Sequence, residues 1–412
     1  MIAALPAFAG YGIELEYMIV DRKTLSVVPI ADELLRKLTG TFASEARNGE
    51  LGWSNEVVLH LLELKNMEPQ PDISFLPVAF QGEIRRINEL LEPMNARLMP
   101  TAMHPWMNPR TETRLWPHEN AEIYLAYDRI FDCRRHGWAN LQSMHLNMPF
   151  AGDEEFARLH AAVRLLLPIL PALAASSPIA EGGYSDFLDF RMANYCQHQR
   201  RISSTIGAVI PDTISSAAEY EAKILAPMYQ EIAPLDTEGT LQHEWLNARG
   251  EIPRFDRNAI EIRVIDTQEC TWANYAIAAV AINIAHALYS EAYAPLPEQQ
   301  SIVTDALVRI MHVCIRDGEQ AVIDDAEYLR LMGFPGMDCK AHALWQHLIE
   351  AEMPVEPGQG KSCREALQTI LRHGPLARRI LNAIGSDFSR RRLETVYREL
   401  CDCLDEDRMF ME

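Results

Sequence analysis

Two glutamates two residues apart, Glu14 and Glu16 in the segment GIELEYMIVD, are the first residues along the chain able to do chemistry. On a strand, that spacing puts both carboxylates on one face, with Cβ atoms about 6 to 7 Å apart. Parallel carboxylates on an otherwise apolar strand repel one another, and burying them is costly without a compensating cation. A hard divalent ion removes that cost and takes oxygen ligands. Alternating glutamate on a solvated sheet face is the plain alternative. Three further segments bear on the choice. Glu63 interrupts the apolar run VVLHLLELKN, where an unpaired charge should be excluded. His145 and Asn147 in SMHLNM share one strand face; taken singly, such a histidine is an ordinary satisfied core residue. Glu261 and Arg263 in AIEIRVID share a face between Ile260, Ile262 and Val264, a pattern that also suits a structural ion pair. If the four faces converge, they form an acidic cleft able to hold two or three magnesium ions and the phosphate tail of a nucleotide.

The elements that would position these residues follow from periodicity. The Gly12 to Asp21 segment alternates, with Ile13, Leu15, Tyr17 and Ile19 opposite the glutamates. Strands are also expected over Val57 to Leu64, Leu141 to Met148 and Ala259 to Asp266. A helix is expected from about Ser74, with Phe80, Ile84, Ile87 and Leu91 at helical spacing and an end or kink at Pro93. Two more are expected over Glu154 to Ala175 and Ala217 to Ile232. Strands and helices do not alternate regularly, so the expected class is α+β, a mixed sheet with helices on one face. From Thr304 the pattern turns continuously helical: 304–316, 341–352, 363–373, 376–384 and 389–404. The basic run Arg390, Arg391 and Arg392 reads as a solvated helix face, and Met353 to Gly360 (MPVEPGQG) as a loop.

Composition narrows the classes of partner. The chain has 412 residues, 48 % hydrophobic and 23 % charged, and a formal net charge of −20, which disfavours nucleic acid. The eight cysteines are scattered without a C-x-x-C pair, as in reduced cytoplasmic proteins. Cys401 and Cys403 would face nearly opposite sides of a helix and read as idle thiols. The apolar stretches Leu165 to Ala180 and Trp272 to Tyr289 contain Pro, Asn or His, and read as core helices rather than membrane spans. The N-terminus lacks the basic region of a signal peptide. Phosphate-cradling glycine loops, G-x-S-x-G and H-E-x-x-H are missing, so a nucleotide would have to be held through carboxylate-bound magnesium.

Taken in order, GIELEYMIVD, VLHLLELKN, SMHLNM, EWLNARG and AIEIRVID resemble the glutamate–cysteine ligase family, especially its bacterial carboxylate–amine ligase branch. The resemblance extends from about Tyr11 to Ala287, with a fainter echo in LRHGPLARRILNAI. It implies a glutamine-synthetase-like curved antiparallel sheet, a half-barrel with helices on its convex face. Residues 1–295 would form this catalytic domain, and 296–412 a helical region packed on it. It further implies ATP-dependent amide formation: a carboxylate, in the best-known members the γ-carboxylate of glutamate, is phosphorylated by ATP, and an amine displaces phosphate. By the same resemblance Glu14, Glu16, Glu63, His145 and Glu261 hold magnesium (or manganese), with Glu56 a further acidic ligand. Arg263 contacts the transferring phosphoryl group, and Arg249 lies near the substrate. Glu56 and Glu63 are seven apart, so one regular strand cannot point both the same way; a bulge or an earlier strand end is needed.

Departures from the family pattern fall on the substrate side. SDFLDFRMANYCQHQRR keeps Arg191 but lacks the branch's Asp-Thr-Gly, TAMHP keeps His104 behind Met103, and Asn147 stands where a second histidine is common. Arg191, His104 and Asn147 are the expected substrate contacts. The expected partners are small amino acids or amines, with no nucleic acid and no membrane; exposed apolar helices make a homo-oligomer compatible. Two other readings stay open: a metal-dependent hydrolase using the same carboxylates and histidine to activate water, and a non-catalytic ligand-binding relative.

Overall fold

The computed structural model describes residues 4–353 and 363–411. Beyond Met353, the loop expected at Met353 to Gly360 lies outside the described residues. Eight strands form one antiparallel sheet: β1 (Gly12–Asp21), β2 (Glu45–Asn48), β3 (Leu51–Asn55), β4 (Leu61–Asn66), β5 (Ala96–Met99), β6 (Ser143–Pro149), β7 (Glu251–Arg254) and β8 (Ala259–Asp266). Their order is β2-β3-β4-β1-β6-β8-β7. β1 is shared unequally: β4 runs along one side, while β6 pairs with its first half and β5 with its second. The α+β expectation agrees with this mixture of one antiparallel sheet and many helices.

The expected strand over Val57 to Leu64 is corrected. β3 ends at Asn55, Val57–His60 form the reversal, and the strand proper is β4. The reversal is as apolar as the strand because it too is buried: Val58, Leu59 and His60 all lie inside, and His60 Nε2 bonds the Ala139 carbonyl at 2.7 Å.

One face of the sheet is core. Ile13, Leu15, Tyr17 and Ile19 of β1 are each at most 2 % exposed. They pack beneath α1 (Leu76–Leu91), α2 (Gly152–Leu166) and α3 (Thr271–Tyr289). α1 presents Phe80, Ile84, Ile87 and Leu91 as one stripe, and a 3₁₀ turn containing Pro93 ends it. α2 continues through a 3₁₀ turn and a short helix to Ala174, because Pro168 and Pro171 lack the N–H that an unbroken helix needs. This apolar stretch, Gly152–Ala174, is the one described helix long and apolar enough to cross a bilayer; its apolar window is 94 % buried inside the protein. The helix expected over Ala217 to Ile232 carries a π-turn at Glu221–Leu225, just ahead of Pro227.

The opposite face is divided. Period 2 puts Met18 and Val20 on the same face as Glu14 and Glu16, yet Met18 and Val20 are fully buried, together with Leu61 and Met99. The last helices of the chain, α4 (Thr304–Asp317), α5 (Ala341–Glu352), α6 (Cys363–His373), α7 (Leu376–Ile384) and α8 (Arg390–Glu406), follow the expected spans closely. Ile380 of α7 and Leu393, Val396, Tyr397 and Leu400 of α8 cover this end of the sheet. Buried charges fasten them. Arg379 pairs with Glu269 with neither side chain exposed, Arg97 bonds Asp402 at 2.8 Å and also pairs with Asp405, and Asp407 accepts from the first residue of α3, Thr271. The basic run does more than meet solvent. Arg390 stacks over Trp106 with 3.8 Å to the ring centroid, and Arg392 donates to the Ala383 carbonyl. Further along α8, Arg398 donates to the carbonyls of Arg22 and Lys23 at 2.7 and 2.8 Å. Cys401 and Cys403 are buried, and burial pushes both thiols up to about 12, consistent with idle thiols.

Candidate active site

The half of the face not covered by α7 and α8 is a cleft of about 560 Å³. Strand register brings the charged residues together here. Glu16 stands opposite Glu63, and Glu63 opposite Ser54; Glu14 stands opposite both Lys65 and His145; Glu261 stands opposite Asn147. Directly opposed residues share a face, so four strands that are remote in sequence present one acidic surface. Glu56 joins it because β3 ends before it: in the reversal it is freed from strand alternation, the earlier strand end that its spacing from Glu63 demanded. A β-bulge between Ile262 and Ile265 adjusts the end of β8, where Arg263 faces the cleft and Val264 and Ile265 are buried.

Two trios have ligand atoms all within 4.8 Å of one another: Glu14, Glu63 and His145, and Glu16, Glu56 and Glu63. Glu63 belongs to both. Glu14, Glu16 and Glu63 are also held by their neighbours. Glu14 accepts from Asn147 Nδ2 at 3.0 Å and lies 3.1 Å from His145 Nδ1. Glu16 accepts from Ser143 N–H and Oγ at 2.6 and 2.9 Å, and Glu63 from Ser54 Oγ at 2.6 Å. Lys65 Nζ lies 3.0 Å from Glu63 and 3.1 Å from Glu45. Glu261 lies outside both trios, joined to Arg263 Nε at 3.0 Å and Arg254 Nη1 at 3.3 Å.

The electrostatics divide the acids. Burial, then repulsion by Glu16 and Glu63, pushes the Glu56 carboxyl well above its ordinary range, and burial above all raises Glu16. Burial acts upward on Glu14 as well, but the His145 hydrogen bond and attraction bring it below its ordinary value. Burial likewise acts upward on Glu261, where Arg263, His145 and Arg254 prevail and lower it. Burial works against protonating His145, yet the Glu14 bond and the acidic surroundings raise it. Glu16 and Glu56 are therefore the acids for which the nearby cations, His145 and Arg263 respectively, do not offset burial and repulsion. This donor set, oxygens from four carboxylates with a single imidazole, fits a hard divalent ion such as magnesium.

The expected substrate residues are placed differently. His104 is fully buried and absent from the cleft lining: Nε2 donates to the Leu25 carbonyl, and Nδ1 accepts from the backbone of Trp106 and Met107. With both nitrogens engaged in folding the 100–108 loop, it is corrected to a structural residue. Arg249 also leaves the cleft. Its guanidinium lies against Gly207, where an added Cβ would meet Nη2 at 3.0 Å, and Nη1 bonds the Ser204 carbonyl and Asn247 Oδ1, each at 3.0 Å. The short EWLNARG spacing returns Arg249 onto the 203–207 loop instead. Asn147 supports Glu14. Arg191 does line the cleft, its Nε donating to Asp266 and its Nη1 to the Arg263 carbonyl.

Several lining residues carry no signal in the sequence. Tyr124 and Tyr127 on the helix Ala121–Phe131, with Trp138, Tyr195 and Trp245, make an aromatic wall; Arg254 and Arg257 stand at the β7–β8 hairpin. They come from segments far apart in the chain. Tyr195 and Gln199 are the exception, because with Arg191 they recur every fourth residue, as on one face of a helix.

Comparison with known proteins adds four findings. Residues 11–399 match the family model described as glutamate-cysteine ligase family 2. An uncharacterized protein of Archaeoglobus fulgidus is 31 % identical over 97 % of this chain and 100 % of its own length. A protein of Bradyrhizobium diazoefficiens, provisionally named glutamate–cysteine ligase 2, is 23 % identical over 65 % of this chain and 56 % of its own. Among solved structures, glutamate–cysteine ligase of Francisella tularensis in complex with AMP aligns with a TM-score of 0.55 at 13 % identity, covering 96 % of this chain and 91 % of that one, a likeness of fold.

Proposed function

The chain belongs to glutamate-cysteine ligase family 2, and from that premise we propose that it is an ATP-dependent carboxylate–amine ligase that forms an amide through an acyl phosphate. The observation that carries this reading is the convergence of Glu16, Glu56, Glu63 and His145 in one cleft, with Glu14 within ligand distance of Glu63 and His145 and with Arg263 beside them. Further proposals follow from it. The sheet is a glutamine-synthetase-like half-barrel, with residues 1–295 as the catalytic domain and 296–412 as its helical support, and the protein is cytoplasmic.

The two trios would hold two magnesium ions, Glu63 serving both, with manganese a competent substitute. When bound, such ions neutralise phosphate oxygens and align the γ-phosphoryl group for transfer. The side chains do the rest. Glu261 keeps Arg263 and Arg254 turned toward the space above the trios. Arg263 presents its planar fork to the transferring group, where it stabilises charge as the carboxylate oxygen bonds to the γ-phosphorus and ADP leaves. The amine nitrogen then attacks the acyl carbon, phosphate departs, and the nitrogen gives up a proton. No protein nucleophile is needed. Ser143, Ser54 and Asn147 fix the carboxylates so that little reorganisation accompanies transfer. The aromatic wall keeps water from the acyl phosphate.

γ-Glutamyl transfer to cysteine or another amino acid or amine is the default chemistry, since the relatives carry that name. The test is magnesium-dependent ADP release across pairs of carboxylates and amines, with products identified by mass. ADP formed only when both partners are present supports the ligase. Amide bonds cleaved with no ADP formed would overturn it in favour of a hydrolase, and no reaction with any pair would favour a non-catalytic relative.

A further inference from the structure

We propose that Tyr195 and Gln199, beside the already expected substrate contact Arg191, are specificity-determining residues that complete a recognition corner for the α-carboxylate and α-ammonium of an amino-acid substrate. The inference rests on the ligase reading for what the cleft does with that amino acid. Each of the three side chains lines the cleft, and the residues are 1, 6 and 3 % exposed. Each also carries a buried polar atom that nothing in the fold satisfies: Arg191 Nη2, Tyr195 Oη and Gln199 Oε1. Unmatched buried polar atoms are destabilising, and their clustering on one segment facing one cleft marks a place where a ligand completes the bonding.

The chemistry of the three atoms selects that ligand. Arg191 Nη2 is a charged donor. Its orientation is set independently, because Nε donates to Asp266 and Nη1 to the Arg263 carbonyl. Tyr195 supplies a neutral O–H donor, since burial raises the phenol. Gln199 Oε1 is an acceptor and wants a donor. Two donors beside one acceptor match a carboxylate next to an ammonium. A phosphate tail has no hydrogen to donate to Gln199 Oε1 and would suit the corner only with the amide turned to present Nε2, the case that loss of AMP-PCP binding would reveal. The corner also lies in the stretch SDFLDFRMANYCQHQRR, where this chain departs from the family pattern. An amino acid held there by both α-groups must react through a side-chain carboxylate if it is the acyl donor, because its α-carboxylate is engaged.

The test is calorimetric binding of the twenty L-amino acids to the full chain, with magnesium and the non-hydrolysable nucleotide AMP-PCP present. For each amino acid that binds, the matching decarboxylated amine and des-amino acid are measured too. At least one amino acid should bind, and removing either α-group should weaken it. Tyr195→Phe and Gln199→Leu should each weaken the intact amino acid by about tenfold while AMP-PCP affinity stays unchanged. Tyr195→Phe should leave the decarboxylated amine's affinity alone, and Gln199→Leu that of the des-amino acid. Binding of none of the twenty, equal affinity in wild type and both variants, or loss of AMP-PCP instead would each overturn the proposal. Amino-acid-dependent ADP release with KM for the amino acid unchanged in both variants would sink the corner and leave the ligase standing. Selective amino-acid binding without ADP release would do the reverse.

Discussion

Replacing Glu63 by glutamine separates a metal site from a structural ion-pair network, because the two predict opposite thermal behaviour. In the metal-free protein the substitution removes an attraction to Lys65 at 3.0 Å, about 5.5 kcal/mol at an effective dielectric constant of 20. It also removes repulsion between Glu63 and Glu16, whose oxygens lie within 4.8 Å, at least about 3.5 kcal/mol on the same basis. The difference is a loss of no more than about 2 kcal/mol, softened further because Lys65 keeps Glu45 at 3.1 Å. Unfolding 412 residues carries an entropy of about 0.9 kcal/mol per kelvin, so the metal-free Tm should fall by about 2 °C or less. Magnesium at a hundred times its Kd adds about 2.7 kcal/mol to the wild type, a rise of about 3 °C. Glu63 serves both trios, so in Glu63→Gln that rise should shrink below about 1 °C and turnover should vanish. Differential scanning calorimetry with and without magnesium measures both. A metal-free Tm lowered by more than about 5 °C, or a full magnesium response in the variant, would refute the assignment.

Further outcomes are expected. Raised folded-state values for Glu56 and Glu16 stabilise the metal-free protein below the ordinary carboxylate value of 4.5, and that contribution is lost as pH climbs through the raised values. Metal-free wild type should therefore lose Tm relative to Glu56→Gln as pH rises, and magnesium should abolish the difference; a pH-independent gap would argue against the crowding of these acids. Arg263→Lys should lower kcat far more than it weakens ATP binding in steady-state kinetics, because one donor point replaces a planar fork; equal losses would mark a ground-state role. Arg379→Met should cost about 3 to 5 kcal/mol in urea unfolding by leaving Glu269 buried and unpaired, and adding Glu269→Gln should recover much of it. Failure of the second substitution to restore stability would show that the pair does not act as a unit.

The acids on β1, β4 and β8 and the histidine on β6 were legible because a charged or ligand-type residue on an apolar period-2 strand is anomalous wherever the strand lies, and the family resemblance supplied their roles. Their assembly was not legible. Register depends on pairings between segments as far apart as Gly12 and Asn147, and nothing in GIELEYMIVD indicates that Glu16 will oppose Glu63 rather than another residue. Glu56 shows the reverse case: its spacing from Glu63 implied an early strand end, and the reversal at Val57–His60 supplies one. The strand expected there failed because a buried turn has the same apolar composition as a buried strand. His104 and Arg249 misled in another way. Resemblance carried a role, while local hydrogen bonding, to the Leu25 carbonyl in one case and the Ser204 carbonyl in the other, gave both side chains to the scaffold. The aromatic wall was out of reach because Tyr124, Trp138 and Trp245 share no period and no segment.

The central place of β1 also bears on how the protein comes into being. The first strand synthesised needs β4 on one side and β6 on the other, and β8, which brings Arg263, needs β6 in turn. Closing the sheet therefore joins residues separated by most of the chain, a slow, high-contact-order step. Until it is complete, Glu14 and Glu16 have neither Glu63 nor His145 opposite them, and no fragment lacking β8 carries the full cleft. Tight magnesium binding during refolding should accordingly appear late and all at once, so the ion would report on completed folding rather than seed it.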